Sequence, residues 1–261
     1  MAHRALSTPP RLRFDRLDAL RGLAMVWMTL FHFCFDLSYL GYWSQDFLAD
    51  PVWTLQRTAI VSLFLFCAGL GQAVTLQQVQ GWARFARRWV QIAGCALLVS
   101  VGSWWMFPHS FIYFGVLHGM VVMLLLARAT AGWGRWLWLA GGVALLLPWA
   151  AHWALSGPWV QWAIDFNANS LNWLGLVSRK PFTEDYVPVL PWLGVMWWGL
   201  AAGQWLLLHR PCWLQGALPP ALQPLQPLAT LGRWSLSYYL LHQPVLLGVL
   251  FAGGWALGRA P

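Results

Sequence analysis

The sequence predicts an all-α polytopic membrane protein, a bundle of about seven transmembrane helices with its N-terminus in the cytoplasm. Three observations predict it. Of 261 residues, 59% are hydrophobic and only 9% are charged, against about 25% charged in soluble domains. Seven apolar stretches are long enough to cross a hydrocarbon core, which takes about 20 residues of helix. The basic residues fall in alternate connections between those stretches. A soluble core of this length could not hold so much apolar surface. A soluble enzyme, a disordered chain and a nucleic-acid binder with a basic face are therefore excluded.

The spans are expected at 18–39, 54–76, 88–107, 111–130, 135–155, 187–208 and 232–257. Turn signals separate them, among them Gly41 to Pro51, Gln77 to Arg87, Pro108-His109-Ser110, Ala131 to Gly134 and Pro211 to Pro227. The longest break, 156–186, carries Asn167, Asn169, Asn172, Arg179, Lys180, Glu184 and Asp185 and is too polar to lie in lipid. No repeat or composition shift marks a second unit, so 1–261 reads as one transmembrane domain. Met1 to Pro10 lacks the apolar run and small-residue cleavage site of a signal peptide. Cys34, Cys67 and Cys95 lie inside apolar runs and Cys212 beside a short loop, a pattern of small apolar residues rather than of disulfides or CxxC metal ligands.

Charge sets the orientation. Arg4, Arg11, Arg13 and Arg16 precede the first span, and Arg84, Arg87, Arg88, Arg128, Arg135, Arg210 and Arg233 fall at the same side in a seven-span arrangement. The other side carries Asp46, Asp50, Asp165, Glu184 and Asp185, offset by Arg179 and Lys180. The positive-inside rule then places the arginine side in the cytoplasm and the C-terminus outside.

Ionisable side chains inside a span cost at least about 2.5 kcal/mol each at mid-bilayer, so each one marks a candidate site. The first span holds Asp18, Arg21, His32 and Asp36. At about 100° per residue these four fall within an arc of about 60°, over roughly 27 Å of helix, interrupted by Met25. Asp18 and Arg21 read equally as an ion pair at the inner rim or as part of a site. His32 and Asp36, spaced i,i+4, face one cavity, where a carboxylate fixes the imidazole tautomer and raises its basicity. His118 lies in the fourth span and His242 in the seventh, where Ser235 and Tyr238 share its face and Pro244 follows it. Arg57 either snorkels from the outer end of span two or contacts a substrate. Asp185 at the outer mouth of span six either contacts a polar substrate or caps the helix. His152 is read as interfacial, and His3, His109 and His209 are given no role. The tryptophan pairs Trp104-Trp105 and Trp197-Trp198 fit the aromatic belt of a membrane interface.

Three imidazoles toward the outer half, one carboxylate and a polar stripe reaching the cytoplasm suit group transfer across the bundle. A histidine there would deprotonate an acceptor or take up an acyl group, and cytoplasmic arginines would hold an anionic, phosphate-bearing donor. At these residues the sequence resembles the heparan-α-glucosaminide N-acetyltransferase catalytic-domain family in its short bacterial form. The matching blocks are Arg16-Leu-Asp18-Ala-Leu-Arg21-Gly22 with Phe31-His32 and Asp36, Ser62-Leu-Phe64 through Gly69, Phe114-Gly115-Val-Leu-His118, Asp185-Tyr-Val-Pro188-Val-Leu-Pro191-Trp192, and Leu231-Gly-Arg233-Trp-Ser235 through His242-Gln243-Pro244. The resemblance implies a multi-pass acyltransferase of the bacterial inner membrane, with cytoplasmic acetyl-CoA as donor and an acceptor on the outer side. It also lends His242 a functional role. The family's lysosomal enzyme has its proposed catalytic histidine in the connection after its first span. Gly41 to Leu48 has none here, and His32 is the candidate replacement.

The expectation is an acyl group moved to an envelope saccharide. His32 serves as base or acyl acceptor with Asp36 orienting it, and His242 and His118 assist. Arg21, Asp18, Arg233, Arg84 and Arg88 form the donor end, and Arg57, Asp185, Tyr238 and Gln243 the acceptor end. No metal, haem or nucleic acid is expected; the surroundings are the lipid bilayer, and a homo-oligomer is left open. The alternative is a proton-coupled transporter or flippase with His32 and Asp36 as relay.

Overall fold

The apolar stretches form helices in the computed structural model, which describes residues 13–258; the tail arginines Arg4 and Arg11 lie outside the described residues. The helices are α1 Asp15–Tyr39, α2 Pro51–Gln77, α3 Trp82–Met106, α4 Val116–Ala129, α5 Trp136–Leu155, the short α6 Ala163–Asn167, α7 Val189–His209, α8 Gln226–Arg233 and α9 Ser235–Ala256. Five of them (α1, α2, α3, α5 and α9) are long and apolar enough to cross a membrane. The described residues contain no strand, only the isolated bridges Phe14–Gly216 and Phe114–Tyr186.

Local chemistry sets the boundaries. Asp50 caps α2 by accepting from the Val52 amide at 2.7 Å, and Pro51 supplies the first helical φ. Two spans depart from expectation. The fourth, predicted over 111–130, is helical only from Val116, about 21 Å of helix. The residues before it are extended because they pair with the polar connection: Glu184 N donates to the Ser110 carbonyl, Thr183 Oγ1 to that of Phe111 and Val187 N to that of Phe114. The seventh, predicted as one piece over 232–257, breaks at Trp234 into α8 and α9.

Small residues let the helices approach closely, which is how packing is won where lipid offers no hydrophobic gain between helices. In the α2–α7 crossing, Gly69 lies against the Met196 to Leu200 backbone and Gly199 against Phe66. In the α1–α8 crossing, Gly22 lies against Leu228 and Gly232 against the Asp18 carbonyl. The core runs from Leu65 and Leu70 through Met123 and Leu137 to Met196 and Leu200. Helices α3 and α9 are peripheral and expose Leu97, Leu98, Val101, Val245 and Val249, as lipid-facing surfaces do. Between them and the core a cleft stays open.

Candidate functional site

The polar edge of α1 faces protein. Asp36 is only 2% exposed, and Asp18, Arg21 and His32 are partly buried. His32 meets His242 of α9, with ring centroids 5.2 Å apart at 61°. Tyr238 stacks on His242 at 6.1 Å and 10°, and its hydroxyl lies 2.7 Å from Thr29 Oγ1. Thr29 spends its only hydrogen on the Met25 carbonyl, so Tyr238 is the donor in that pair.

The hydrogen bonds assign the His242 tautomer. Its Nδ1 lies 2.7 Å from the Tyr239 carbonyl, which can only accept. The ring hydrogen of neutral His242 is therefore on Nδ1, and Nε2 carries the lone pair. That Nε2 is buried and has no hydrogen-bond partner. An imidazole held in this way has what a general base or an acyl-accepting nucleophile needs.

Asp36 does not orient His32. Its two carboxylate oxygens accept from Gln243 Nε2 at 2.8 and 3.1 Å. The i,i+4 spacing puts both side chains on one edge, but the tertiary partner from α9 takes the carboxylate. His118 does not join the histidine pair either. Its Nδ1 accepts from the Gly115 amide at 3.3 Å and its Nε2 lies 2.9 Å from Ser100 Oγ. Ser100 in turn donates to the Ile112 carbonyl at 2.7 Å. His118 thus carries the opposite tautomer, with both nitrogens engaged in fastening the extended 111–115 segment to α3.

At the arginine end, a cleft of about 1050 Å³, open solvent included, is lined by Arg21, Arg84, Arg88 and Arg128. Gln72, Phe64, Leu236 and Tyr239 line it too, Tyr239 lying one helical turn before His242. The sequence reading did not assign Arg128 to the site, counting it only toward topology. It is buried between Trp82 and Phe85, its guanidinium 4.9 Å from each ring, and donates to the Gln80 carbonyl at 2.6 Å. Its Nε and Nη1 are buried without partners, so two donors wait for an acceptor. The only sequence signal was Arg128 ending an apolar run level with Trp82 and Phe85.

Arg233 does not line that cleft. It pairs with Asp15 at 3.0 Å and with Asp18 at 3.7 Å, while Asp18 also holds Arg21 at 3.1 Å. Asp15 is 2% exposed, and the sequence reading passed over it because it lies just before the predicted span. These contacts make Asp18 and Arg233 parts of the joint between α1 and α8.

At the opposite end, Asp185 Oδ2 accepts from the Val116 amide at 2.8 Å, so it caps α4 rather than its own helix. Burial raises the Asp185 pKa above the ordinary carboxylate range, opposed by the Val116 amide, Lys180 and Arg57. Burial lowers the Lys180 pKa, with Arg57 adding to the effect. Arg57 thus sits near enough for its charge to be felt at this mouth. Among the described residues, no three His, Cys, Asp or Glu side chains are grouped to hold a metal ion.

A family model described as heparan-alpha-glucosaminide N-acetyltransferase, catalytic, matches residues 13–244. No curated protein and no solved structure is matched.

Proposed function

The chain belongs to the heparan-alpha-glucosaminide N-acetyltransferase catalytic family of membrane acyltransferases, and on that premise we propose that it moves an acetyl group from cytoplasmic acetyl-CoA to a saccharide acceptor outside the bacterial inner membrane. One observation carries the reading: the arginine-lined cleft is also lined by Tyr239, the residue whose carbonyl fixes the His242 tautomer. Arg21, Arg84, Arg88 and Arg128 hold the donor phosphates, guanidinium–phosphate pairs being strong and directional. The thioester arm lies along Phe64, Leu236 and Tyr239.

His242 Nε2 takes the proton of the acceptor amine or hydroxyl as that atom attacks the thioester carbonyl. The new C–N or C–O bond forms, the C–S bond breaks, and the proton passes from His242 to the departing sulfur. His32 stays neutral beside a histidine that becomes charged, and its ring N–H serves the developing oxyanion. Arg57 and Asp185 meet the acceptor at the outer mouth, and Asp36 and Gln243 hold α1 and α9 in register.

The test is release of free CoA thiol by the purified chain in proteoliposomes given acetyl-CoA and glucosamine-type acceptors. His242→Ala is expected to lower turnover by about 10²–10⁴-fold, the usual worth of a positioned base. Full turnover in that variant overturns the assignment. Ion-gradient-driven flux without thiol release overturns acyl transfer itself.

A further inference from the structure

Three arginines of the cleft have no anionic partner. Arg21 is paired with Asp18, but among the described residues no carboxylate pairs with Arg84, Arg88 or Arg128. Arg128 is only 9% exposed and keeps two buried donors, Nε and Nη1, without an acceptor. A buried cation without a partner is costly, so this end of the cleft suits an anion.

The lining changes character with depth. Arg84 and Arg88 lie in the first two turns of α3, and Ile92 follows on the same edge, about 15 Å from the start of that helix. Phe64, Leu117 and Leu236 join Ile92 in the lining. Charge in the first turns and an apolar bed beyond them match an anionic amphiphile.

The helices around the cleft form a ring with one weak seam. Helix α9 packs on α1, α1 on α2, α2 on α4 and α4 on α3, while α3 and α9 barely touch. Gln91, nine residues into α3, lines the cleft and is exposed, so the cleft is open well below the ends of its helices. A donor arriving from water needs no such opening; a molecule arriving from the bilayer does.

We propose that the cleft admits one anionic phospholipid from the surrounding leaflet through the α3–α9 seam. Its phosphate lies on Arg84, Arg88 and Arg128, and an acyl chain runs along Ile92, Leu117 and Leu236. Guanidinium–phosphate pairs supply direction and strength, and the apolar bed adds a contact that a soluble anion lacks. Lipid and acyl donor then exclude one another, so the acidic-lipid content of the membrane sets the apparent donor affinity. The lipid site stands on the cleft alone; the exclusion rests on the acyl-transfer reading, which puts donor phosphates on the same arginines.

The test is native mass spectrometry of the full chain in detergent with equal amounts of phosphatidylglycerol and phosphatidylcholine. One phosphatidylglycerol is expected to stay bound, about tenfold tighter than phosphatidylcholine, and to resist millimolar inorganic phosphate. Arg128→Ala removes a phosphate donor and Ile92→Trp fills the bed of the chain. Each is expected to bring the preference to within about twofold of unity. Equal retention of the two lipids, displacement by inorganic phosphate, or a preference undiminished in both variants overturns the site.

CoA is then titrated against the chain in nanodiscs. Its Kd is expected to rise about fivefold or more when about a third of the phosphatidylcholine is replaced by phosphatidylglycerol. Ile92→Trp, which keeps the surface charge and loses the lipid, is expected to abolish that rise. Equal CoA binding in both nanodiscs overturns the exclusion. CoA that binds in neither, beside an intact lipid preference, overturns the donor reading and leaves the lipid site in place.

Discussion

Two histidines of similar appearance in the sequence carry opposite hydrogen-bond assignments, and this decides what each can do. His118 uses both nitrogens to fasten the segment before α4, whereas His242 keeps a buried, unpaired Nε2. His118→Ala should therefore lower stability by about 1–3 kcal/mol, the cost of stranding buried partners, while the folded fraction retains acyl transfer. Thermal unfolding in detergent alongside turnover per folded molecule separates the two effects. Asp185 supplies a pH test. Its pKa is raised in the folded chain, chiefly by burial, so the folded state favours the protonated form. Its stabilising contribution is complete below the ordinary carboxylate value of about 4 and is lost as pH rises through the folded pKa. Relative to Asp185→Asn, which keeps an oxygen for the Val116 amide, the wild type should lose unfolding temperature as pH rises from 4. A flat difference would contradict it. His32, Asp36 and His242 were legible as intramembrane ionisable groups, but their partners were not. Helical angle tells which side chains share an edge; Gln243 reaching Asp36, and not His32, is decided by a helix some two hundred residues away.

At the level of elements, apolar length and turn residues located the helices well, since both act locally. They misplaced the start of α4 and missed the break at Trp234, because both depend on contacts distant in sequence. The 111–115 segment is extended through its pairing with 183–187, and α8 is held apart from α9 by its seat on α1. That seat explains Arg233, which the sequence had suggested for donor binding and the structure gives to Asp15 and Asp18. Removing a partner from a buried carboxylate is costly, about 3–5 kcal/mol for a fully buried pair and less here, where Arg233 is partly solvated. Arg233→Ala should accordingly lower the unfolding temperature and leave the donor KM of the surviving protein near wild type. A selective rise in donor KM with unchanged stability would return Arg233 to the donor site.

For the molecule as a whole, the two ends of the bundle are chemically different. At one end Arg16 reaches the Cys212 carbonyl, Arg128 reaches that of Gln80, and Arg21, Arg84 and Arg88 line the cleft. At the other, Asp185 and Glu184 bind the 110–116 segment. In the proposed orientation, which follows the positive-inside rule, the arginine end is cytoplasmic, so the donor should be usable from that side alone. Inverted membrane vesicles should turn over added acetyl-CoA, and right-side-out vesicles should do so only after permeabilisation. Arg128→Ala should raise the donor KM by about tenfold or more, since a charged hydrogen bond contributes about 1.5–3 kcal/mol. It should also flatten the rise of that KM with salt, because one fewer charge is there to be screened. Turnover in sealed right-side-out vesicles would reverse the assigned direction, and a donor KM indifferent to Arg128 would remove the cleft from the reaction.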